Sequence, residues 1–169
     1  MNSKIISLDN IEAFIFDFDG VMTNNSVYLD EFGKEIVKCS RADGLAFDVL
    51  RKLKKPAYIV STEVNPVVQA RATKLQVQLL QGVDDKVEAV KKLCHKKSYN
   101  LQNIFYVGND INDCLIMKLC GHTACPADSH IEVKKLSSEI LASNGGDGVI
   151  RELLESVLQL DFIEILYID

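Results

Sequence analysis

Apolar residues gather in five short runs along this chain: Ala13–Phe16, Ala57–Val60, Gln78–Leu80, Ile104–Val107 and residues 123–125. Each run is too short for a helix and is closed by polar residues or glycine, the pattern of a buried strand. Apolar positions at helical spacing fill the intervals, at 45–53, Pro66–Leu75, 86–94, 112–119 and 149–158. This alternation predicts an α/β fold on a mostly parallel sheet. The pattern runs through residues 1–169 without repeat, low-complexity tract or linker, so one domain is expected.

One segment breaks the alternation. Val27, Tyr28 and Leu29, then DEFGK, then Glu35, Ile36 and Val37 read as a β-hairpin turning at Gly33, an insertion at 25–38 between the first strand and the first helix. A two-stranded ribbon cannot bury its own apolar side chains. It must pack on something, and a subunit interface is a natural partner.

Composition narrows the field. With 47% hydrophobic and 25% charged residues, a chain of 169 residues can build a real core. The net charge of -5 gives no general attraction to nucleic acid or acidic lipid, so an anionic substrate needs a local site. No apolar stretch approaches the roughly 20 residues of a membrane span, and the opening MNSKIISLDN has no signal-type apolar core. A cytoplasmic protein with neither nucleic-acid nor membrane partner is expected. The five cysteines, Cys39, Cys94, Cys114, Cys120 and Cys125, are scattered without a CxxC pair and read as reduced thiols. Cys120, His122 and Cys125 are close enough to be weighed as a metal site, but their apolar contexts favour small buried fillers. His95 and His130 read as surface residues.

The chemistry lies at the strand ends. Asp17 and Asp19 follow the first run, Ser61 and Thr62 the second, and Asn109, Asp110 and Asp113 the fourth, while Lys86 opens the helix after the third. In open parallel sheets ligands bind outside the carboxyl ends of the strands. A lone aspartate there is usually a cap or turn former. In DFDG, however, the second aspartate shares a face with the first. Two close carboxylates demand a cation or shift each other's pKa, and an all-oxygen set suits Mg²⁺. One carboxylate can attack while the other manages a proton, with Ser61 and Lys86 holding phosphoryl oxygens.

These residues resemble a known family. DFDG from Asp17, IVST ending at Ser61 and Thr62, Lys86 in GVDDK and GNDIND ending at Asp113 resemble, in order, the four motifs of haloacid dehalogenase-like (HAD) phosphohydrolases. With DGVMTN, the hairpin, RADGLAF and GGDGVIRELLE, the likeness extends over nearly the whole chain. It points to the capless branch of 3-deoxy-D-manno-octulosonate (KDO) 8-phosphate phosphatases, which also holds nine-carbon keto-deoxy sugar acid phosphatases and domains fused to CMP-sialate synthetases. The resemblance implies a HAD-like Rossmannoid three-layer fold without a large cap. It implies Asp17 as the nucleophile that becomes an aspartyl phosphate, Asp19 as acid and base, Ser61 and Lys86 as phosphoryl holders, and Mg²⁺ on Asp17, the Asp19 carbonyl and Asn109 or Asp110.

Two positions depart from the family pattern. Ser61-Thr62 stands for the usual TG and keeps a hydroxyl. Asn109 occupies an acidic metal-ligand position, where an amide oxygen brings less charge. The Glu63 and Lys74 combination resembles the nine-carbon enzymes, so a nonulosonate 9-phosphate is the expected substrate and KDO 8-phosphate the next. Thr62, Arg41, Arg71 and Arg151 are further candidates for binding a substrate that carries a carboxylate. The resemblance also implies a homotetramer with the hairpin at its centre and the apolar tail DFIEILYID reaching a neighbour. A contrasting reading is a weakly active or inactive oligomerisation domain that partners a cytidylyltransferase, which Asn109 favours. A phospho-accepting receiver domain is a third, but DxDG supplies an acid/base that a long-lived phosphoaspartate would not need.

Overall fold

The computed structural model describes residues 6–168; the first residues of MNSKI and the final residue of the apolar tail lie outside them. Six parallel strands form the sheet: β1 (Ala13–Phe16), β4 (Ala57–Val60), β5 (Gln78–Leu80), β6 (Ile104–Val107), β7 (His122–Cys125) and β8 (Glu139–Ile140). Between β1 and β4 come the hairpin strands β2 (Tyr28–Leu29) and β3 (Glu35–Ile36). The sheet order is β5-β4-β1-β6-β7-β8. The chain therefore winds outward from β1 through β4 to β5, then crosses to β6 on the other side of β1. That reversal opens a crevice at the carboxyl ends of β1, β4 and β6.

The strands are apolar throughout because both faces are covered. Phe14 and Phe16 join Phe105 and Val107 on one face, under α1 (Ala42–Lys52), α2 (Pro66–Leu75), α6 (Val149–Glu152) and α7 (Phe162–Tyr167). The Phe14 and Phe105 rings stack at 5.8 Å and Phe47 of α1 meets Phe16 edge-on at 5.5 Å. Ala13, Ile15, Tyr58 and Tyr106 face the other way, under α3 (Lys86–Lys97), α4 (Cys114–Met117) and α5 (Ile131–Leu136). Three layers result, as the family resemblance implies.

Several details differ from the sequence reading. The expected helix at 112–119 is shorter: a tight turn at Ile111–Asp113, capped by Asp110, leads into α4. The expected helix at 149–158 is α6 followed by a wider π-type turn, Leu153–Val157. The elements α5, β8 and α7 have no counterpart in the apolar pattern. Part of the tail packs within its own chain, with Phe162 buried beneath the Arg151 guanidinium at 5.1 Å and Lys52 of α1 donating to the Leu166 carbonyl, while Ile163, Tyr167 and Ile168 stay exposed. Cys120 and Cys125 sit in the core as fillers, and all five cysteines are free thiols.

The hairpin forms as expected. Tyr28 pairs with Ile36 and Leu29 with Glu35, and a bridge from Thr23 to Cys39 closes its base. The Asp30 carboxylate accepts from the amides of Phe32 and Lys34, while Gly33 adopts φ +76 in the turn. Val27, Tyr28, Leu29, Phe32 and Ile36 are all exposed, Phe32 at 87%.

Candidate active site

Asp17 follows β1 directly and continues its ladder, its amide donating to the Val107 carbonyl at 2.9 Å. The side chain is buried, and its Oδ1 accepts from the Phe18 amide at 2.7 Å and from Lys86 Nζ at 2.8 Å. Lys86 occupies the first position of α3, whose free amides are capped by the Asp85 carboxylate. That start fixes the lysine so that its ammonium also reaches Asp113 Oδ1 at 2.7 Å. Asp113 is fully buried and takes three further donors: the Tyr106 hydroxyl at 2.8 Å on Oδ1, and the amides of Asn109 at 2.9 Å and Asp110 at 3.4 Å on Oδ2. A Cβ on Gly108 would lie 2.5 Å from Asp113 Cγ, so only glycine lets the loop close on this carboxylate.

The loop after Asp17 is tied by Thr23. Its hydroxyl accepts from the amides of Gly20 and Asn25 and donates to Asp19 Oδ1 at 3.5 Å. Gly20 has φ +80, and a Cβ there would stand 1.8 Å from Asn109 Nδ2. The first loop thus lies directly on the Asn109 side chain. From the far end, Gly145 and Gly146 close on the same loop: the Gly146 amide donates to the Val21 carbonyl at 3.0 Å, and a Cβ on Gly145 would be 2.3 Å from the Gly20 carbonyl oxygen. Ser61, after β4, is 1% exposed and its Oγ accepts from the Glu63 amide at 3.1 Å.

Between these loops is a cleft of roughly 170 Å³, lined by Asp17, Asp19, Ser61, Thr62, Asn109 and Asp110, and also by Asn25, Ile111 and Asn112. Burial and the charge of Asp113 push the Asp17 carboxyl well above the usual range, against the pull of Lys86. Asp19 is raised too, first by burial and then by the charge of Glu63. Burial works against the Lys86 ammonium, yet Asp17 and Asp113 hold its proton more tightly than an ordinary lysine's. Three carboxylates thus face one ammonium, and a further positive charge would relieve them. Asn109 Oδ1 is buried without a hydrogen-bond partner beside them. The carboxylates of Asp17, Asp19 and Asp110 with that amide oxygen make an oxygen-only set, which fits a hard divalent cation.

Other predicted residues lie elsewhere. Arg41 and Lys74 line a separate concavity of about 310 Å³ with Arg71, Gly44, Asp48 and Leu75. Arg151 pairs with Glu155 at 2.7 Å and covers Phe162. Glu63 turns its Oε1 to the amides of Val64 and Asn65, although its charge is felt at Asp19. Asp110 caps the turn at Ile111–Asp113 as well as lining the cleft. Asp113, placed at the strand end without a role, and Tyr106, not singled out, are the residues whose part in the site sequence reasoning missed. The repeated aspartate in GNDIND signals the first, and a lone hydroxyl in the apolar run IFYV signals the second.

Residues 52–153 match the family model of haloacid dehalogenase-like hydrolases. The chain belongs to this family. A HAD-family hydrolase from Streptomyces avermitilis is 37% identical and superposes with a TM-score of 0.91 over 95% of this chain and 92% of its own. The KDO 8-phosphate phosphatase of Moraxella catarrhalis, solved with magnesium, phosphate and KDO, is 26% identical with a TM-score of 0.84, covering 89% of this chain and 87% of that one. The KDO 8-phosphate phosphatase of Haemophilus influenzae is 29% identical over 90% of this chain and 85% of the relative. This HAD hydrolase is therefore close to the KDO 8-phosphate phosphatases in both sequence and fold.

Proposed function

We propose that this HAD hydrolase is a Mg²⁺-dependent phosphatase of a 2-keto-3-deoxy sugar acid phosphate. The observation that carries the reading is the Asp17 carboxylate, held by Lys86 at 2.8 Å on the wall of a cleft that Asp19 shares. Both bonds of Asp17 fall on Oδ1, which leaves Oδ2 as the attacking atom. It attacks the phosphorus, and the bond from phosphorus to the ester oxygen breaks. Asp19, raised by burial and by Glu63, is suited to carry the proton given to the departing alkoxide. It then takes a proton from the water that hydrolyses the aspartyl phosphate. Ser61 and Lys86 hold phosphoryl oxygens. Mg²⁺, held by Asp17, Asn109 and the Asp19 carbonyl with Asp110 beside them, would supply charge neutralisation between the carboxylate and the phosphate.

Glu63 and Lys74 favour a nonulosonate 9-phosphate, and the relatives' activity favours KDO 8-phosphate next. Arg41, Arg71 and Lys74, gathered in their own concavity, are suited to the substrate carboxylate only where a neighbouring copy brings them to a cleft. A tetramer covering the exposed hairpin is in keeping with this. The test is phosphate release from a panel of sugar acid phosphates with Mg²⁺. Wild type is expected to release phosphate and Asp17→Asn to lose at least about a thousandfold of that activity; equal release from both would remove Asp17 from the chemistry.

The neutral Asn109 favours a second reading, a domain of low activity that partners a cytidylyltransferase. Wild type inert on the whole panel, yet forming a complex with that enzyme in light scattering, would select it.

A further inference from the structure

We infer that Tyr106 is a positioning residue for Lys86 and for the loop that carries Asn109, acting through Asp113. The inference rests on the phosphatase reading only for its kinetic test. Tyr106 lies in the middle of β6, pairs with Ile15 and Thr123, and is 0% exposed. It belongs to the apolar core cluster that includes Ile15, Val90, Ile116 and Met117, where phenylalanine would serve equally well as filler. A hydroxyl buried there is costly unless bonded. It donates to Asp113 Oδ1, the same oxygen that accepts from Lys86 Nζ.

Asp113 divides its work between its two oxygens. Oδ1 takes the lysine and the tyrosine, while Oδ2 takes the amides of Asn109 and Asp110. The rotation of this one carboxylate therefore fixes both the ammonium beside Asp17 and the backbone before the orphaned Asn109 amide. Rotation about the bond to the carboxylate carbon is soft unless its oxygens are held. Tyr106 holds one of them from beneath, on a strand in the centre of the sheet, where it cannot move with the loops. Without that hydroxyl, Lys86 becomes the sole side-chain donor to Oδ1 and is drawn from Asp17 toward Asp113.

Tyr106→Phe removes one oxygen from a fully packed site. Tyr58→Phe is the matching control: Tyr58 lies in the same core, and its hydroxyl meets Tyr99 at 3.2 Å, away from Asp113. For Tyr106→Phe, kcat on the substrate found for wild type is expected to fall about tenfold while KM stays within about twofold, the size of one charge-assisted bond. Tyr58→Phe should leave both unchanged at a similar loss in Tm. Independently of turnover, hydrogen exchange at the Asn109 amide is expected to quicken about tenfold in Tyr106→Phe and not in Tyr58→Phe. Exchange at Asn109 equal in the two variants would overturn the inference even if wild type hydrolyses nothing. So would a kcat loss shared equally by the control.

Discussion

A buried ammonium between two buried carboxylates is a demanding arrangement. Removing one partner of such a set leaves a charge that costs several kcal/mol. Here Lys86 is common to Asp17 and Asp113, so the carboxylate proposed to attack and the carboxylate behind it are set by one side chain. Asn109 is the soft point, because its amide oxygen would add no charge to the proposed cation site. Asn109→Asp is expected to tighten Mg²⁺ binding by about tenfold or more, read by titration calorimetry, since affinity follows ligand charge. Unchanged binding would place the cation away from residue 109. At this scale the sequence was informative where chemistry and spacing coincide: DFDG, Ser61 and Lys86 all reach one place. Asp113 falls at the end of the fourth strand run, but its hold on Lys86 is not legible there, because that role depends on Gly108 allowing a close approach and on Tyr106 from inside the sheet. GNDIND and IFYV show the residue types, but which groups they meet is set by the fold. Arg151 shows the converse: a cation suitable in type is committed to Glu155 and Phe162.

Elements announce themselves when their apolar positions repeat for long enough. The five strands placed from sequence were legible because each is a compact apolar run between polar ends. The edge strand β8 is only Glu139–Ile140, one residue half-buried and one exposed, and α5 buries only Val133. Such short, half-solvated pieces are made by tertiary contact and carry no periodic signal. The joint between α1 and α6 is likewise tertiary. Asp43 in the first turn of α1 is buried, and its Oδ1 accepts from the amides of Ile150 and Arg151, satisfying the start of α6 from outside. Its Oδ2 has no partner, and burial raises the carboxyl from 3.8 to about 6. Native Asp43 thus binds its proton more tightly than the unfolded chain does. Its contribution to stability is present below about pH 4 and is lost as pH rises through about 6. Asp43→Asn keeps an acceptor for both amides and removes the titration. The difference in Tm between variant and wild type should shift in the variant's favour from pH 4 to pH 6.5; a difference independent of pH would refute this.

At the scale of the whole molecule, two apolar features have different fates. The C-terminal helix α7 returns to α1 and buries Phe162, so the tail contributes to the core of its own chain. The hairpin keeps Tyr28, Leu29, Phe32 and Ile36 exposed, and a ribbon this small gains its stability from what it packs against. The Asn65 side chain donates to Glu35 of β3 at 3.0 Å, which ties the hairpin to the loop that carries Ser61. If the hairpin builds the proposed tetramer, Tyr28→Ser with Phe32→Ser should yield monomers or dimers in light scattering, with the fold intact by circular dichroism. An unchanged mass would remove the hairpin from the assembly.

The contact of Gly145 and Gly146 with the loop at Gly20 also has a bearing on synthesis. The loop bearing Asp19 emerges before Ser61, Lys86 and Asn109, and the glycines that fasten it emerge after all of them. A nascent chain halted just before Gly145 already contains Asp17, Asp19, Ser61, Lys86, Asn109 and Asp113, yet its first loop lacks the contacts that Gly145 and Gly146 make with Gly20 and Val21. On the phosphatase reading proposed above, a fragment that ends before Gly145 is therefore expected to release phosphate more slowly than the chain that includes it.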